Sequence, residues 1–374
     1  MSRFKMQILV WSLVGLALRL IAMPFTMHGQ DLFVIHYFPM LWVTQGVWDP
    51  YGFINANLPH FLYTYYGPVL FFIFAAANFI FIKLFHAAFL VSMLTAAGSM
   101  MYSGYQTADY VKLFAGGGLF KDLFIMKLPY LCFDIMIAVI LLGLIRLKKA
   151  PVASYILWML NIVLLHSAYA VGQADIIPAL FVMAALFAII NKRPYLGIVS
   201  LSLGGATKLF PYILILPMCF LLGGSLKKRA ALIFTAAAIS MLIYLPFFLS
   251  SGKAVLRFLL YSEGLGYPGA AKTVLAVICF IAYIVILIKA LKDASGPEPA
   301  ALALYYMAVS MFIAYAMAPL RFRYFVIATP LLSLIIPGNK RFGLFIGFFI
   351  TVLAFLWLGE RDLQLGLLAP VSLG

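Results

Sequence analysis

The sequence predicts an all-α polytopic membrane protein, and three observations carry that reading. Of the 374 residues, 66% are hydrophobic and only 10% are charged, where a soluble domain carries about 25% charged residues. Apolar runs long enough to span a bilayer, roughly 17–25 residues each, recur from end to end. The formal net charge of +15, from 26 Lys and Arg against 11 Asp and Glu, sits mainly in short turns between those runs, as the positive-inside bias and anionic lipid heads favour. A β-barrel would show short alternating segments instead. A nucleic-acid-binding module would gather its basic residues on one face. Cys132, Cys219 and Cys279 lie inside apolar runs, without the spacing of a disulfide framework or a metal site. The chain, 1–374, is expected to form one integral-membrane domain without internal repeats.

Taken in order, Arg3 and Lys5 precede an apolar run longer than a signal-peptide core. It is read as a retained span over 6–27 with a cytoplasmic N-terminus. Residues 27–68 are the first long interruption, rich in Tyr, Trp, His, Asn and Pro, with Asp31 near its start. This stretch is expected as a loop lying on the outer surface. Spans over 66–82 and 87–102 follow, then a second outer stretch over 103–122, where Gly116, Gly117 and Gly118 should break a surface helix. Spans over 125–145, 152–171 and 176–190 come next, with basic inner turns at Arg146, Lys148 and Lys149 and at Lys192 and Arg193.

Residues 194–224 lie between that last turn and Lys227, Lys228 and Arg229. Both basic turns belong in the cytoplasm, and a single crossing would put one of them outside. Two limbs meeting at Ala206-Thr207-Lys208-Leu209-Phe210-Pro211 keep both inside. Each limb has about 13 residues, too short for a straight crossing at ~1.5 Å per residue. Such a broken hairpin must line a protein cavity, which places Lys208 at a buried turn near the outer leaflet. Spans over 230–249, 273–288, 302–318, 325–336 and 342–358 complete a bundle of about 12 or 13 crossings. A third outer loop is expected over 250–272, and an outer C-terminus carries Glu360, Arg361 and Asp362.

Charges inside spans are expensive and mark structure or function. Arg19 lies about 12 Å below the outer end of its span and Asp134 about 13 Å below the end of its own. The matched depth points to a buried ion pair between those spans, with a packing role. The other polar residues gather toward the outer face: Asp31, His36, Tyr66, Lys127, His166, Gln173, Asp175, Lys208, Arg321 and Arg323. Transporters usually place such groups near the midplane. Clustering at one interface favours an enzyme acting on a membrane-bound substrate. Lys208, Arg321 and Arg323 suit a phosphate leaving group, and a carboxylate such as Asp31 suits proton removal from an attacking hydroxyl. Most of the interfacial aromatics read as a membrane belt. No Walker motif, nucleophile elbow, zincin motif or dinucleotide fingerprint is present, and His36 with His166 makes no metal signature.

The ordered set Asp31, Gly46-Val47-Trp48-Asp49-Pro50-Tyr51, Tyr66-Gly67-Pro68, Lys127-Leu128-Pro129 with Asp134, Gly172-Gln173-Ala174-Asp175 and Lys208-Leu209-Phe210-Pro211 resembles the GT-C superfamily of membrane glycosyltransferases. The likeness is greatest to its family 87 and GPI-mannosyltransferase-like branch. It runs over most of the chain, and Gln-x-Asp followed by Lys-x-x-Pro is its most specific part. The resemblance implies a helical bundle with outer juxtamembrane helices and a polyprenyl-phosphate hexose donor, most often mannose. It implies a lipid- or glycan-linked acceptor, Asp31 as general base, and one inverting displacement with polyprenyl phosphate leaving. Lys208, Arg321 and Arg323 would then hold the donor phosphate. His36, Tyr66, Lys127, His166, Gln173 and Asp175 would line the sugar or acceptor pocket. No cofactor is expected. Many members carry an acid-x-acid pair in the first loop, whereas Leu32 and Phe33 follow Asp31 here, so a divalent metal has no support. The competing readings are a transporter or flippase of a lipid-linked sugar, and a non-catalytic scaffold subunit.

Overall fold

The computed structural model describes residues 3–25, 29–58, 66–84, 119–147, 150–261, 270–296, 298–317 and 322–339, with isolated positions at 91, 94, 95, 98, 341, 343 and 347. The chain is an all-α polytopic membrane protein, and every regular element among the described residues is helical. The elements are α1 (Arg3–Ala22), α2 (Gly29–Gln45), α3 (Pro50–Asn57), α4 (Pro68–Phe79, continued by a π-helical turn, Ile80–Leu84) and α5 (Leu119–Arg146). Then come α6 (Val152–Met159), a helical turn (Ile162–Leu164) running into a π-helix (Leu165–Val171), α7 (Ile176–Ile190) and α8 (Pro194–Gly205). A 3₁₀ turn (Phe210–Leu214) leads into α9 (Ile215–Leu222), followed by α10 (Leu226–Tyr261), α11 (Ala270–Asp293) and α12 (Pro299–Met317). A second 3₁₀ segment (Phe322–Ile327) precedes α13 (Thr329–Ile335). The spans expected over 87–102 and 342–358 are described only at isolated positions. The Gly116–118 break and the acidic and basic residues near the C-terminus lie outside the described residues.

Among the described residues six helical stretches, counting 152–171 as one, are long and apolar enough to cross a membrane, and shorter apolar helices fill the space between them. Of these, α1, α10 and α11 form the rim. Only Gly15 and Arg19 of α1 are buried, while Leu9, Leu13 and Ile21 face outward, as do Met241 and Leu242 of α10 and Val277, Phe280 and Ile281 of α11. The centre is α7, where Ile176, Ile177, Leu180, Met183, Leu186 and Ile189 are all buried. A helix that is apolar all round belongs either in a core or in lipid; α7 packs against α5, α8 and α12 and is the former.

The broken hairpin expected over 194–224 is formed. Helix α8 runs antiparallel to α7, with Gly197 against Ile189 and Gly204 against Phe181, and it also packs along α10. A Cβ on Gly67 would lie 3.2 Å from Tyr244 Oη of α10, and Gly67 itself bonds to Thr207 at the hairpin tip. Tyr244 is therefore level with the tip. The stretch of α10 from Leu226 to Tyr244 covers roughly 27 Å, so Leu222, close before Leu226 in the chain, lies far below it. Both limbs descend together from the tip.

Two stretches expected as outer loops differ from expectation. The stretch read as a surface loop forms α2 and α3, and residues 32–41 of α2 are buried without interruption. His36, Tyr37 and Pro39 dilute the hydropathy of this segment, so it reads as polar although protein encloses it. The loop expected over 250–272 begins as helix. Helix α10 bends at Ser251 (φ −143°, ψ 51°) and continues to Tyr261. Its last turns are amphipathic: Ala254, Val255 and Phe258 are buried against the bundle, while Lys253 and Arg257 stay exposed.

Candidate functional site

The hairpin tip positions the first part of the site. Helix α8 ends at Gly205, and the Lys208 amide returns to Gly204 O at 3.1 Å, while Thr207 Oγ1 donates to the same carbonyl at 2.6 Å. This tight turn projects Lys208 toward the start of α7. There Asp175 occupies the N-cap position, but its side chain makes no cap bond. Its carboxylate instead takes the Lys208 ammonium, at 2.9 and 3.2 Å. The positive end of the α7 dipole favours a carboxylate at that point. Lys208 Nζ lies 4.0 Å from the Tyr324 ring centroid, 5.5 Å from Phe210 and 5.9 Å from Tyr66, within reach of cation–π attraction. Lys208 is 5% exposed and Asp175 fully buried. Among the described residues, the cation expected to meet a phosphate is thus enclosed by one carboxylate and three rings, of which Tyr324 alone is half-buried rather than buried.

The start of α4 docks against the same tip. Gly67 N donates to Thr207 O at 2.9 Å and Val69 N to Ala206 O at 3.0 Å. The first amides of one helix and the last carbonyls of another have no partners within their own helices, and here each set satisfies the other. A Cβ on Gly67 would collide with the Ala206 carbonyl, so only glycine allows this approach. Tyr51 Oη donates to Tyr66 O at 2.9 Å. Asp49 caps α3 through the amides of Tyr51 and Gly52 and accepts from Ser250 and Ser251, both at 2.7 Å. The Gly46–Tyr51 motif therefore ties α3 to the bend of α10.

The second part of the site is the turn between the π-helix and α7. Gly172 is left-handed (φ +85°), and a Cβ there would lie 3.0 Å from Leu32 Cδ1. That contact brings the residue after Asp31 onto the Gly172-Gln173-Ala174-Asp175 turn. Asp31 lies in the first turn of α2, and its side chain lies outside the described part of the structure. Gln173 is 2% exposed, and its Oε1 is buried with no hydrogen-bond partner among the described residues. Lys127 is wholly buried, and its ammonium donates to three backbone carbonyls, of Met23 (2.9 Å), Tyr169 (2.7 Å) and Ala170 (3.2 Å). These carbonyls are its partners among the described residues, and they meet the donors of an ammonium.

Deeper in the bundle, Arg19 and Asp134 form a buried ion pair. Asp134 also accepts from Trp158 Nε1 at 2.8 Å and Tyr169 Oη at 2.7 Å. Arg19 further donates to the carbonyls of Gly15 (2.9 Å), Met159 (2.7 Å) and Trp158 (3.3 Å). It thereby closes the break where α6 ends at Met159 and the chain restarts at Ile162. His36 lies apart from the hairpin tip, in the α2–α4–α5 interface. Its ring nitrogens face Asn78 Oδ1 (3.0 Å) and Met126 O (2.9 Å), and Asn78 Nδ2 donates to His36 O at 2.7 Å. Pro39 disturbs the helical bonding of the carbonyls one turn before it, and the Asn78 bond supports one of them. His166 is half-buried in the π-helix. Arg323 lies in the second 3₁₀ segment with its side chain outside the described part, and Arg321 lies outside the described residues.

The structure thus brings Lys208, Asp175 and Tyr66 into one cluster and sets the Asp31 end of α2 against the adjoining turn. Sequence reasoning missed the ring wall of Phe210 and Tyr324 and the support from Tyr130, whose Oη donates to Gly172 O at 2.8 Å. Tyr130 was findable: three residues after Lys127, it lies on the same helix face. Among the described residues no group of three His, Cys, Asp or Glu side chains is arranged to hold a metal ion. In comparisons with known proteins, no family model, no curated protein and no solved structure matches the chain.

Proposed function

We propose that the chain is an inverting membrane glycosyltransferase that moves a hexose, mannose in the first instance, from a polyprenyl-phosphate donor to a hydroxyl of a lipid- or glycan-linked acceptor. The observation that carries the reading is the convergence at one end of the bundle. The Leu32–Gly172 contact, the Asp175–Lys208 pair and the Lys208–Tyr66 contact join segments far apart in sequence. These are segments on which the resemblance to GT-C enzymes rests. The basic turns at Lys192–Arg193 and Lys227–Arg229 lie at the opposite end, which supports a cytoplasmic N-terminus and an extracytoplasmic site.

In this reading the Asp31 carboxylate takes the proton of the acceptor hydroxyl. The freed oxygen attacks the anomeric carbon from the face opposite the phosphate. The new C–O bond forms as the C1–O bond to phosphate breaks, and that electron pair leaves on the phosphate oxygen. Arg321, Arg323 and Lys208 balance the charge that develops there. Because Lys208 is enclosed, the phosphate approaches past Tyr324, the half-buried wall. Gln173 Oε1, buried and unpartnered, is suited to accept from a sugar hydroxyl. The chemistry needs no cofactor.

The test is sugar transfer by purified protein from radiolabelled polyprenyl-phosphate mannose to a mixed lipid and glycan extract, beside Asp31→Asn. Wild type should transfer, and the variant should lose on the order of 10²–10⁴-fold, the usual contribution of a general base. Full activity in the variant removes Asp31 as base. Silence with mannose, glucose and arabinose donors, combined with movement of lipid-linked sugar across vesicles, replaces the enzyme by a transporter.

A further inference from the structure

Lys127 sits where two helices end. Met23 directly follows α1, and Tyr169 and Ala170 belong to the last turn of the π-helix. Carbonyls at helix C-termini lack partners within the helix and carry the negative end of its dipole. Two such ends converge on one ammonium, at 2.7–3.2 Å. This explains how a wholly buried lysine is tolerated within an apolar helix, where an unmatched charge is expensive.

The same two ends are the points from which the site hangs. Beyond α1 the chain turns into the helix that carries Asp31. Beyond the π-helix it passes through Gly172 and Gln173 to Asp175. Lys127 also packs there, since a Cβ on Gly172 would lie 3.4 Å from Lys127 Cε and 3.0 Å from Leu32 Cδ1. One turn further along α5, Tyr130 holds the Gly172 carbonyl. A single face of α5 therefore grips both chain segments.

We infer that Lys127 is a positioning residue, a clamp that sets the spacing between Asp31 and the Gly172–Asp175 turn without binding substrate itself. The inference rests on the glycosyl-transfer reading for what the spacing serves, while the clamp can be measured without it. In glycosyl transfer, the spacing between base and phosphate site decides whether the acceptor oxygen meets the anomeric carbon in line. A misplacement of ~1 Å from outside the reacting groups can lower turnover on the order of 10²-fold.

The experiment compares wild type with Lys127→Met, Lys127→Arg and Tyr130→Phe by two readouts. Amide hydrogen exchange follows the ends of α1 and of the π-helix, with α12 as an internal control. Transfer kinetics follow kcat and donor KM per folded molecule. Lys127→Met should speed exchange at both helix ends by about tenfold or more while α12 is unchanged, as expected for local opening. Its kcat should fall at least about tenfold with donor KM within roughly threefold, the pattern of a group that acts on the transition state rather than on binding. Lys127→Arg should recover part of both. Unchanged exchange at either end overturns the clamp. A rise in donor KM at constant kcat also overturns it, because the lysine then binds substrate. Should Lys127→Met not fold, the Arg and Tyr130→Phe variants carry the same comparison, and unchanged exchange and kcat in both count against the clamp. Silence of the wild type with all three sugar donors, joined by movement of lipid-linked sugar across vesicles, defeats the glycosyltransferase reading alone, and the exchange arm still judges the clamp.

Discussion

Asp134 shows what a carboxylate at membrane depth requires. It is matched by Arg19, Trp158 and Tyr169 together, and the guanidinium spends its remaining donors on carbonyls at the end of α6. Removing one partner of a buried pair leaves the other charge uncompensated, at roughly 3–5 kcal/mol. Arg19→Met should therefore lower the unfolding free energy in detergent by that amount, and Arg19→Met with Asp134→Leu should regain most of it. If the double variant is no more stable than the single one, the arginine acts by packing rather than by charge. The Lys208–Asp175 pair allows a second separation. Lys208→Met with Asp175→Leu should restore stability relative to either single change but should not restore sugar transfer. A double variant with wild-type transfer would reduce this pair to a structural brace.

At the level of elements, the joints decide the architecture. The α4–α8 joint depends on Gly67, where any side chain would push the two helix ends apart. Gly67→Ala should cost about 1–3 kcal/mol, the penalty for leaving buried backbone groups unsatisfied, measured by chemical unfolding in micelles. Asp49→Ala should cost about 0.5–2 kcal/mol from the lost cap and should speed hydrogen exchange over α3 and the bend at Ser251. Much of this level was legible in the sequence. The polytopic helical class followed from hydropathy, and the broken hairpin from two basic turns that one crossing could not reconcile. The Arg19–Asp134 pair followed from matched depth. What was not legible depended on contacts between distant segments. Residues 32–41 read as part of a surface loop because hydropathy cannot tell enclosure by protein from exposure at an interface. For Lys127 the sequence could not show its bonds to the carbonyls of Met23, Tyr169 and Ala170, because no residue type reveals a backbone acceptor. Asp175 and Lys208 each read as a site residue, but their pairing depends on how the turn after α8 faces the start of α7.

For the whole molecule, the long helices α1, α10 and α11 stand at the rim and the short α7 at the centre. Helix α7, with 15 residues, is about 22 Å long, short of a hydrocarbon core of ~30 Å. It need not match the bilayer, because its start at Asp175 is enclosed by protein while its other end opens into the exposed Asn191-Lys192-Arg193 turn. The rim helix α10 fixes a testable geometry: Gly46, on the chain just before Asp49, sits near its bend, and Ser225 lies just before its start. A membrane-impermeant maleimide should label Gly46→Cys and Ser225→Cys from opposite faces of sealed vesicles, and labelling from one face would refute the topology. The union of α4 with the hairpin tip also bears on how the protein is made. The ribosome delivers α4 long before residues 194–222, and neither limb of that hairpin is long enough to be held by lipid alone. The translocon must therefore release the limbs onto a receiver already in place, and a fragment synthesised without α4 should leave the hairpin stranded for quality-control proteases.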